Sequence, residues 1–266
     1  MTRTYAVKPP TARGRIGWAF QDSWSIARRD LVRTARQPEM MTFSVVMGVF
    51  FLLLFNYVFG GAIGAGTGVD YIQYLVPGVF VITVLTGAQQ TGTGLAVDLT
   101  EGVTNRFRSL PMSQLAVIAG RTIADTLRNV VAVLLVAAVG YLMGFRFASL
   151  GGALGALAIS VGMGFAFSWA NGAIAAKVRN AEMVGMLSMF WLFPLMLAST
   201  AFAPAESMPG WLQGFVKYQP ISVASSAARA LSNGTPVGDL LWQAVLWIVI
   251  LLAVFVPLAI RFYRKP

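Results

Sequence analysis

The residues best placed for chemistry lie in one short stretch, residues 98–113, with the sequence DLTEGVTNRFRSLPMS. It places charged side chains of both signs, a glycine and a proline between two long apolar segments. Charged groups held on so short a loop can form charge-assisted hydrogen bonds with another protein. We therefore expect the loop to face the cytoplasm and to present a rigid charged surface to a partner.

A helical pattern positions these charges. One apolar face is formed by residues at spacings of four, four and three: Leu99, Val103, Phe107 and Leu110. The acids come early in the pattern and the bases late, as the helix dipole favours, and a proline ends it. The pattern predicts an amphipathic helix over residues 98–111, parallel to the membrane. The alternative is a solvated, positively charged connector.

Catalytic and metal chemistry is disfavoured by what the sequence lacks. It contains no His and no Cys, which removes the commonest metal ligand, thiolate ligands and any Ser–His pair. It has no Gly-x-x-x-x-Gly-Lys-Ser/Thr run that could hold nucleotide phosphates. No carboxylate pair lies in the middle of an apolar segment. We expect no catalytic site, no metal site and no cofactor bound by this chain.

The composition indicates a multi-pass membrane protein. Apolar residues make up 57% of the 266 positions and charged residues only 11%, against about 45–50% and about 25% in soluble domains. Six segments are long and apolar enough to span a bilayer, at residues 40–59, 74–97, 125–145, 150–176, 183–203 and 240–262. They must be helices, because open strands would leave backbone groups unsatisfied in lipid. The third is expected to begin near Gln114. The predicted fold class is all-α.

The basic residues predict the orientation. With both termini in the cytoplasm, 17 of the 20 Lys and Arg residues lie inside, and Arg146, Lys217 and Arg229 lie outside. This asymmetry satisfies the positive-inside rule. The net charge of +10 is therefore expected to face anionic cytoplasmic lipid rather than nucleic acid.

The first 39 residues carry a second amphipathic signal. Apolar residues recur every three or four positions from Ile16 to Ala35, with arginines on the far side. We expect a cytoplasmic tail over residues 1–39 that contains a helix lying in the inner membrane interface. The alternative is a tail helix that packs on the protein itself. Residues 40–266 then form one membrane domain.

The segment between the last two spans, residues 203–239, is too long for a tight turn and too apolar for a disordered tether. Two short helical pieces are expected there, with Gly234 capping the second. They are expected on the outside, either re-entering the outer leaflet or covering a pore.

Arg121, Asp125 and Arg128 share one helical face, since they lie at spacings of four and three. They could form a latch between the charged loop and a path across the membrane. The alternative is an interfacial salt-bridge ladder with snorkelling arginines.

Polar residues inside the spans usually face a neighbouring helix or a cavity. The candidates for lining a substrate path, with the two glutamines ranked first, are Gln89, Gln90, Phe51, Phe55, Asn56, Ser168 and Trp191. The polar members could instead hold helices together, and the aromatic members could face lipid.

The residues carry a family resemblance. The run EGVTNRFRSLPMSQLAVIAGRTIAD resembles a motif of ABC exporter permeases of the daunorubicin-resistance type. In that motif an acidic residue and Gly precede Arg-x-Arg-Ser-Leu-Pro and then Gly-Arg-x-x-Ala-Asp. FPLMLASTAFAP, MPGWLQGF and YQPISVASSAARAL also match, so the resemblance covers nearly the whole chain. One departure is Ala198-Ser199-Thr200, where the family pattern has Ser-Gly or a similar small pair.

The resemblance implies a permease that pairs with a second permease copy, as a homodimer, and recruits two ATP-binding-cassette ATPase subunits, which bind ATP and Mg. The short cytoplasmic helix would insert into a cleft on each ATPase. The coupling residues, carried over by position, would be Glu101, Gly102, Arg106, Phe107, Arg108 and Pro111. The cargo would be a hydrophobic or amphiphilic compound, a drug, antibiotic or lipid, exported across the bacterial plasma membrane.

Two other functions are compatible with a multi-pass helical protein. One is a self-contained, gradient-driven carrier, against which the scarcity of ionisable residues in the spans argues. The other is a membrane scaffold that uses the charged loop only for docking.

Overall fold

In a computed structural model the protein is described over residues 39–67, 70–100 and 114–264. These residues form eight α-helices and one short 3-10 turn, and no β-strand. The helices are α1 (Glu39–Thr67), α2 (Tyr71–Thr100), α3 (Gln114–Leu142), α4 (Leu150–Val178), α5 (Ala181–Leu197), α6 (Gly210–Tyr218), α7 (Pro220–Asn233) and α8 (Leu240–Arg264). The 3-10 turn is Ala205–Ser207. The all-α prediction is confirmed for this part of the chain.

Four of these helices are long and apolar enough to cross a membrane. They comprise residues Tyr71–Thr100, Thr122–Leu142, Leu150–Val178 and Leu240–Tyr263. Two further apolar stretches are shorter: helix α5, Ala181–Leu197, and Val45–Val58, which is part of the 29-residue helix α1. The protein is thus a polytopic membrane protein, and four of the six predicted segments meet this criterion of length and composition within the described residues.

Helix α2 lies at the centre of the bundle and packs against α1, α3, α4, α5 and α7. In its most apolar stretch 83% of the residues are buried, against 11% in α8, which packs on α4 and α7 at the edge. A helix that is apolar all round is stable either inside a bundle or against lipid. Helix α2 is buried inside the bundle. Helix α8 instead exposes apolar side chains that suit contact with lipid, among them Val245, Val249 and Val254.

The helix contacts define two ends of the bundle. At the cap end, where α6 and α7 lie, the Tyr71 hydroxyl donates to the Phe202 carbonyl (2.8 Å) and the Trp247 indole donates to the Tyr218 carbonyl (2.9 Å). At the basic end, Leu95 of α2 packs with residues of α4 and α5. Lys177, Arg179 and Arg261 lie near that end, where α4 and α8 finish.

Several boundaries follow the sequence-based expectations. Helix α3 begins at Gln114, two short helices occupy the segment before α8, and Gly234 ends α7 in the left-handed conformation (φ 68°). Helix α2 continues through Thr100, so the first three residues of the predicted 98–111 helix belong to α2.

The predicted fifth segment was expected to run to residue 203, but α5 ends at Leu197. The Ser199 hydroxyl donates to the Met196 carbonyl (2.6 Å), and Pro204 follows the segment. Serine side chains that bond to nearby backbone groups compete with the helix, and a following proline cannot continue it. Residues 198–204, which we name the cap segment, are therefore turns rather than helix.

Candidate functional site

A polar stripe runs through the middle of α2. Its partly exposed residues are Thr86, Gln89, Gln90 and Thr93. The Gln89 side-chain amide donates to the backbone carbonyl of Gly185 in α5 (3.3 Å), so α5 packs beside the stripe. The Thr86 hydroxyl bonds to the Ile82 carbonyl in its own helix. Gln90 is therefore the residue of the stripe best suited to contact a polar group of a molecule between the helices.

The aromatic candidates lie in two separate groups. Phe51 and Phe55 of α1 pack on Phe202 in the cap segment, with ring centroids 5.5 and 4.2 Å away. Asn56 follows Phe55 and is half-buried. Trp191 of α5 instead stacks on Phe167 of α4, at 5.5 Å and 7°. The structure thus brings Phe51 and Phe55 together at the cap end and places Trp191 at the α4–α5 contact.

Ser168 of α4 lies in the interface between α2 and α4. It is buried, its hydroxyl donates to the Gly164 carbonyl (3.0 Å), and the Thr91 hydroxyl of α2 lies 3.4 Å away. These contacts explain the polar residue by packing, because hydroxyl groups inside a membrane bundle need partners.

The predicted latch residues lie in α3. Asp125 and Arg128 form an ion pair with side chains 4% and 13% exposed. Next to them, the amide oxygen of Asn129 lies so close to Gly87 of α2 that a Cβ there would overlap it. Within the described residues Asp125 Oδ2 and Asn129 Nδ2 have no hydrogen-bond partner. Arg121 belongs to the same helix, and its side chain is outside the described part.

The residues predicted to couple to a partner lie outside the described ranges. They are Glu101, Gly102, Arg106, Phe107, Arg108 and Pro111. The amphipathic pattern at residues 16–35 also lies outside them. Across the described ranges, no group of three His, Cys, Asp or Glu residues could hold a metal ion.

Three carbonyl groups of the cap segment accept hydrogen bonds from side chains of α2 or of the residue that precedes α7. Tyr71 bonds to Phe202 as described, and the Tyr74 hydroxyl donates to the Thr200 carbonyl (2.9 Å). The Gln219 amide at the start of α7 donates to the Ala198 carbonyl (2.6 Å) and to the last turn of α5. Irregular backbone at membrane depth is stable only with such partners. The segment is thus fixed by α2 and α7 rather than by its own structure.

Gly78 lies where the cap segment crosses α2. A Cβ on Gly78 would overlap the Ala201 carbonyl oxygen, and neither backbone can move aside by changing a rotamer. We predict that Gly78→Ala lowers the stability of the folded chain by about 1–3 kcal/mol, measured as a lower thermal unfolding midpoint. The control is Gly61→Ala in α1, where nothing lies within 4 Å of the added Cβ. That variant should be unchanged or more stable, since Ala favours helix. An unchanged midpoint for Gly78→Ala would contradict the close approach.

Sequence reasoning missed four polar residues that the structure makes prominent, Tyr74, Asn129, Gln219 and Arg229. Arg229 was counted only as one of three outside cations. The available signal was a charged residue within the small apolar run ISVASSAARAL, because a charge in such a run needs local partners.

Comparison with known proteins agrees with this architecture. Residues 21–232 match the family model described as ABC-2 type transporter. The daunorubicin resistance ABC transporter permease protein DrrB1 of Streptomyces coeruleorubidus is 39% identical over 232 residues, which cover 86% of this chain and 81% of that protein. The doxorubicin resistance ABC transporter permease protein DrrB of Mycobacterium tuberculosis is 28% identical over 222 residues, 80% of this chain and 76% of that protein. The chain therefore belongs to the ABC-2 type transporter family.

Proposed function

We propose that this chain is the permease subunit of an ABC exporter. It moves a hydrophobic or amphiphilic compound outward across the bacterial plasma membrane, using ATP hydrolysed on separate subunits. The observation that carries this proposal is 39% identity to a daunorubicin resistance permease over 86% of the chain. Since the sequence has no phosphate-binding loop of its own, the ATP must bind to partners, two ATP-binding-cassette ATPases that also hold Mg.

The proposed cargo path runs along the polar stripe of α2. Gln89 and Gln90 offer amide groups, and the aromatic side chains of Phe51, Phe55 and Trp191 offer apolar surface on the helices beside α2. Asn56 completes the proposed set, whereas Ser168 is left out because its hydroxyl is bonded inside the α2–α4 interface. Ligand sites of this kind combine mostly apolar walls with a few polar groups that fix orientation, which suits an amphiphilic compound.

The proposed topology has six spans and both termini in the cytoplasm. Its support is the distribution of charge, because Lys177, Arg179 and Arg261 lie near the basic end and 17 of 20 basic residues fall on the inner side in this orientation. The cap end, with α6 and α7, then faces outward. Helices α1 and α5 complete the six spans.

A second permease copy is proposed to complete the path. Helix α5 has an exposed apolar face at spacings of three and four, made by Met183, Met186, Phe190, Phe193 and Leu197. Spacing of this kind is typical of helices that pack against another helix. In this proposal α5, which contacts Gln89 in the stripe, lies between the two copies.

Reconstitution tests the proposal against its two alternatives. The permease is copurified with its nucleotide-hydrolysing subunit, placed in vesicles, and given daunorubicin as the first probe. Vanadate-sensitive movement of the probe is the expected result. Movement driven by an ion gradient without the ATPase would indicate a secondary carrier, and ATPase binding without movement of any compound tested would indicate a scaffold.

Gln90→Leu tests the proposed path. Removing the amide should change the probe concentration for half-maximal transport by about three- to tenfold without changing the amount of protein in the membrane. Gln243→Ala is the control, because Gln243 lies in α8, which packs at the edge of the bundle. Equal transport by both variants would remove Gln90 from the path.

A further inference from the structure

Helix α2 contains Pro77 near the cap end. Proline has no N–H, so the Gln73 carbonyl loses its helical donor. The replacement comes from α7, where the Asn233 side-chain amide donates to the Gln73 carbonyl (3.3 Å). One residue further on, the Tyr74 carbonyl accepts from Arg229 Nε (2.9 Å). Helix α7 therefore supplies hydrogen-bond donors to the backbone of α2 just before Pro77.

Arg229 joins this part of α2 to the cap segment. Its Nη2 donates to the Thr200 carbonyl (2.8 Å), the same oxygen that accepts from the Tyr74 hydroxyl. Its guanidinium carbon lies 3.5 Å from the centroid of the Tyr74 ring. Arg229 is a member of neither the Arg128–Asp125 ion pair nor the Lys217–Glu206 ion pair. The charge of Arg229 is thus balanced by carbonyl dipoles and an aromatic ring.

When the cap end opens, water can replace the carbonyl groups that accept hydrogen bonds from Arg229. A buried carboxylate partner would make opening more costly, because two opposite charges would have to be separated. Two buried serine hydroxyls of α7, Ser225 and Ser232, have no hydrogen-bond partner within the described residues. Water entering beside α7 would supply those partners. The two serine hydroxyls are therefore without partners while α7 is packed on the bundle, and they would gain water as a partner if α7 moved away.

We propose that Arg229 is a positioning residue that holds the cap end closed, with Pro77 as the hinge about which the first turns of α2 move. Arg229 and Asn233, with the carbonyls of Gln73, Tyr74 and Thr200, form what we name the clasp. Release of the clasp separates α7 from α2 and opens the outer end of the path. This role rests on the proposed export function, since it assigns the clasp to the outer gate.

The chain contains no Cys, so single cysteines can report on the clasp without background labelling. Ser225→Cys places a thiol at a fully buried position on α7, and a membrane-impermeant maleimide is applied from the outside. The thiol is expected to be protected when Arg229 is present and labelled at least about tenfold faster with Arg229→Gln. Arg229→Lys, which keeps the charge but cannot make both bonds, should give an intermediate rate.

Two reference positions separate clasp release from general loosening. Glu206→Cys, whose parent side chain is 73% exposed, should be labelled equally in every background. Ser188→Cys in α5, also fully buried and without a partner among the described residues, should stay protected in every background. Equal labelling of Ser225→Cys with and without Arg229, or labelling of both buried positions together, overturns the proposal. If Arg229→Gln does not reach the membrane, Arg229→Lys and Asn233→Ala decide by the same criteria.

Transport gives a second, separable measurement. In vesicles that contain the ATPase, Arg229→Lys is expected to retain ATP hydrolysis but export less probe for each ATP. Labelling needs neither ATP nor cargo, so a labelling difference without any transport by the unmodified chain would retain the clasp and reject the exporter. Transport by the unmodified chain, together with equal labelling in all backgrounds, would retain the exporter and reject the clasp.

Discussion

Arg108→Ala and Glu101→Ala are each expected to reduce cargo-stimulated ATP hydrolysis to the basal rate while leaving the permease in the membrane. Both residues lie in the predicted cytoplasmic helix between the second and third spans. The family resemblance implies that this helix would insert into a cleft on the ATPase, and we propose that Arg108 pairs with an acidic group there. Truncating one member of a desolvated charge pair at an interface costs about 2–5 kcal/mol, because the other charge is left unpaired. The measurement is ATP turnover by the reconstituted complex, with and without probe.

Lys217→Ala is the matched control for these variants. Lys217 is a cation at the opposite end of the bundle, and its pairing with Glu206 is exposed, at 3.5 Å. Loss of an exposed pair has an effect of at most about 1 kcal/mol, so its turnover should match that of the unmodified chain. Full stimulation of ATP hydrolysis in both coupling variants would reject the assignment of this helix as the coupling element.

The positions of the helices were largely predictable, because a long apolar segment in lipid can satisfy its own backbone hydrogen bonds only as a helix. Helix α4 was expected over 150–176 and is Leu150–Val178; α8 was expected over 240–262 and is Leu240–Arg264. Gly234 was also predictable, since a glycine after a helical pattern supplies the left-handed cap at no steric cost. These features depend on neighbours in the sequence.

The cap could not be predicted in this way, because its stability depends on partners far apart in the chain. The end of α5 depends on donors from Tyr74 and Gln219, and the role of Arg229 depends on the carbonyls of Tyr74 and Thr200. Close approaches such as Asn129 on Gly87 are equally long-range. Residue type alone ranked Gln89 and Gln90 as path candidates, but only the structure shows that Gln89 bonds to α5.

Asp125→Asn is expected to destabilise the membrane domain strongly. The exchange leaves the Arg128 cation in α3 without its carboxylate, and both side chains are nearly buried. Breaking a buried ion pair from one side costs about 3–5 kcal/mol. We expect less protein in the membrane and a lower thermal unfolding midpoint for the purified chain.

The double variant Asp125→Asn/Arg128→Gln provides the control, because it removes both charges and keeps side chains of similar size. If the pair is structural, the double variant should regain most of the stability lost by Asp125→Asn, since paired deletions are less costly than single ones. If the pair is instead a latch in the transport cycle, Asp125→Asn will reach the membrane in normal amounts and fail to export the probe. The burial of the pair favours the structural outcome. The next residue, Asn129, packs so closely against Gly87 that this part of α3 cannot move without separating α2 from α3.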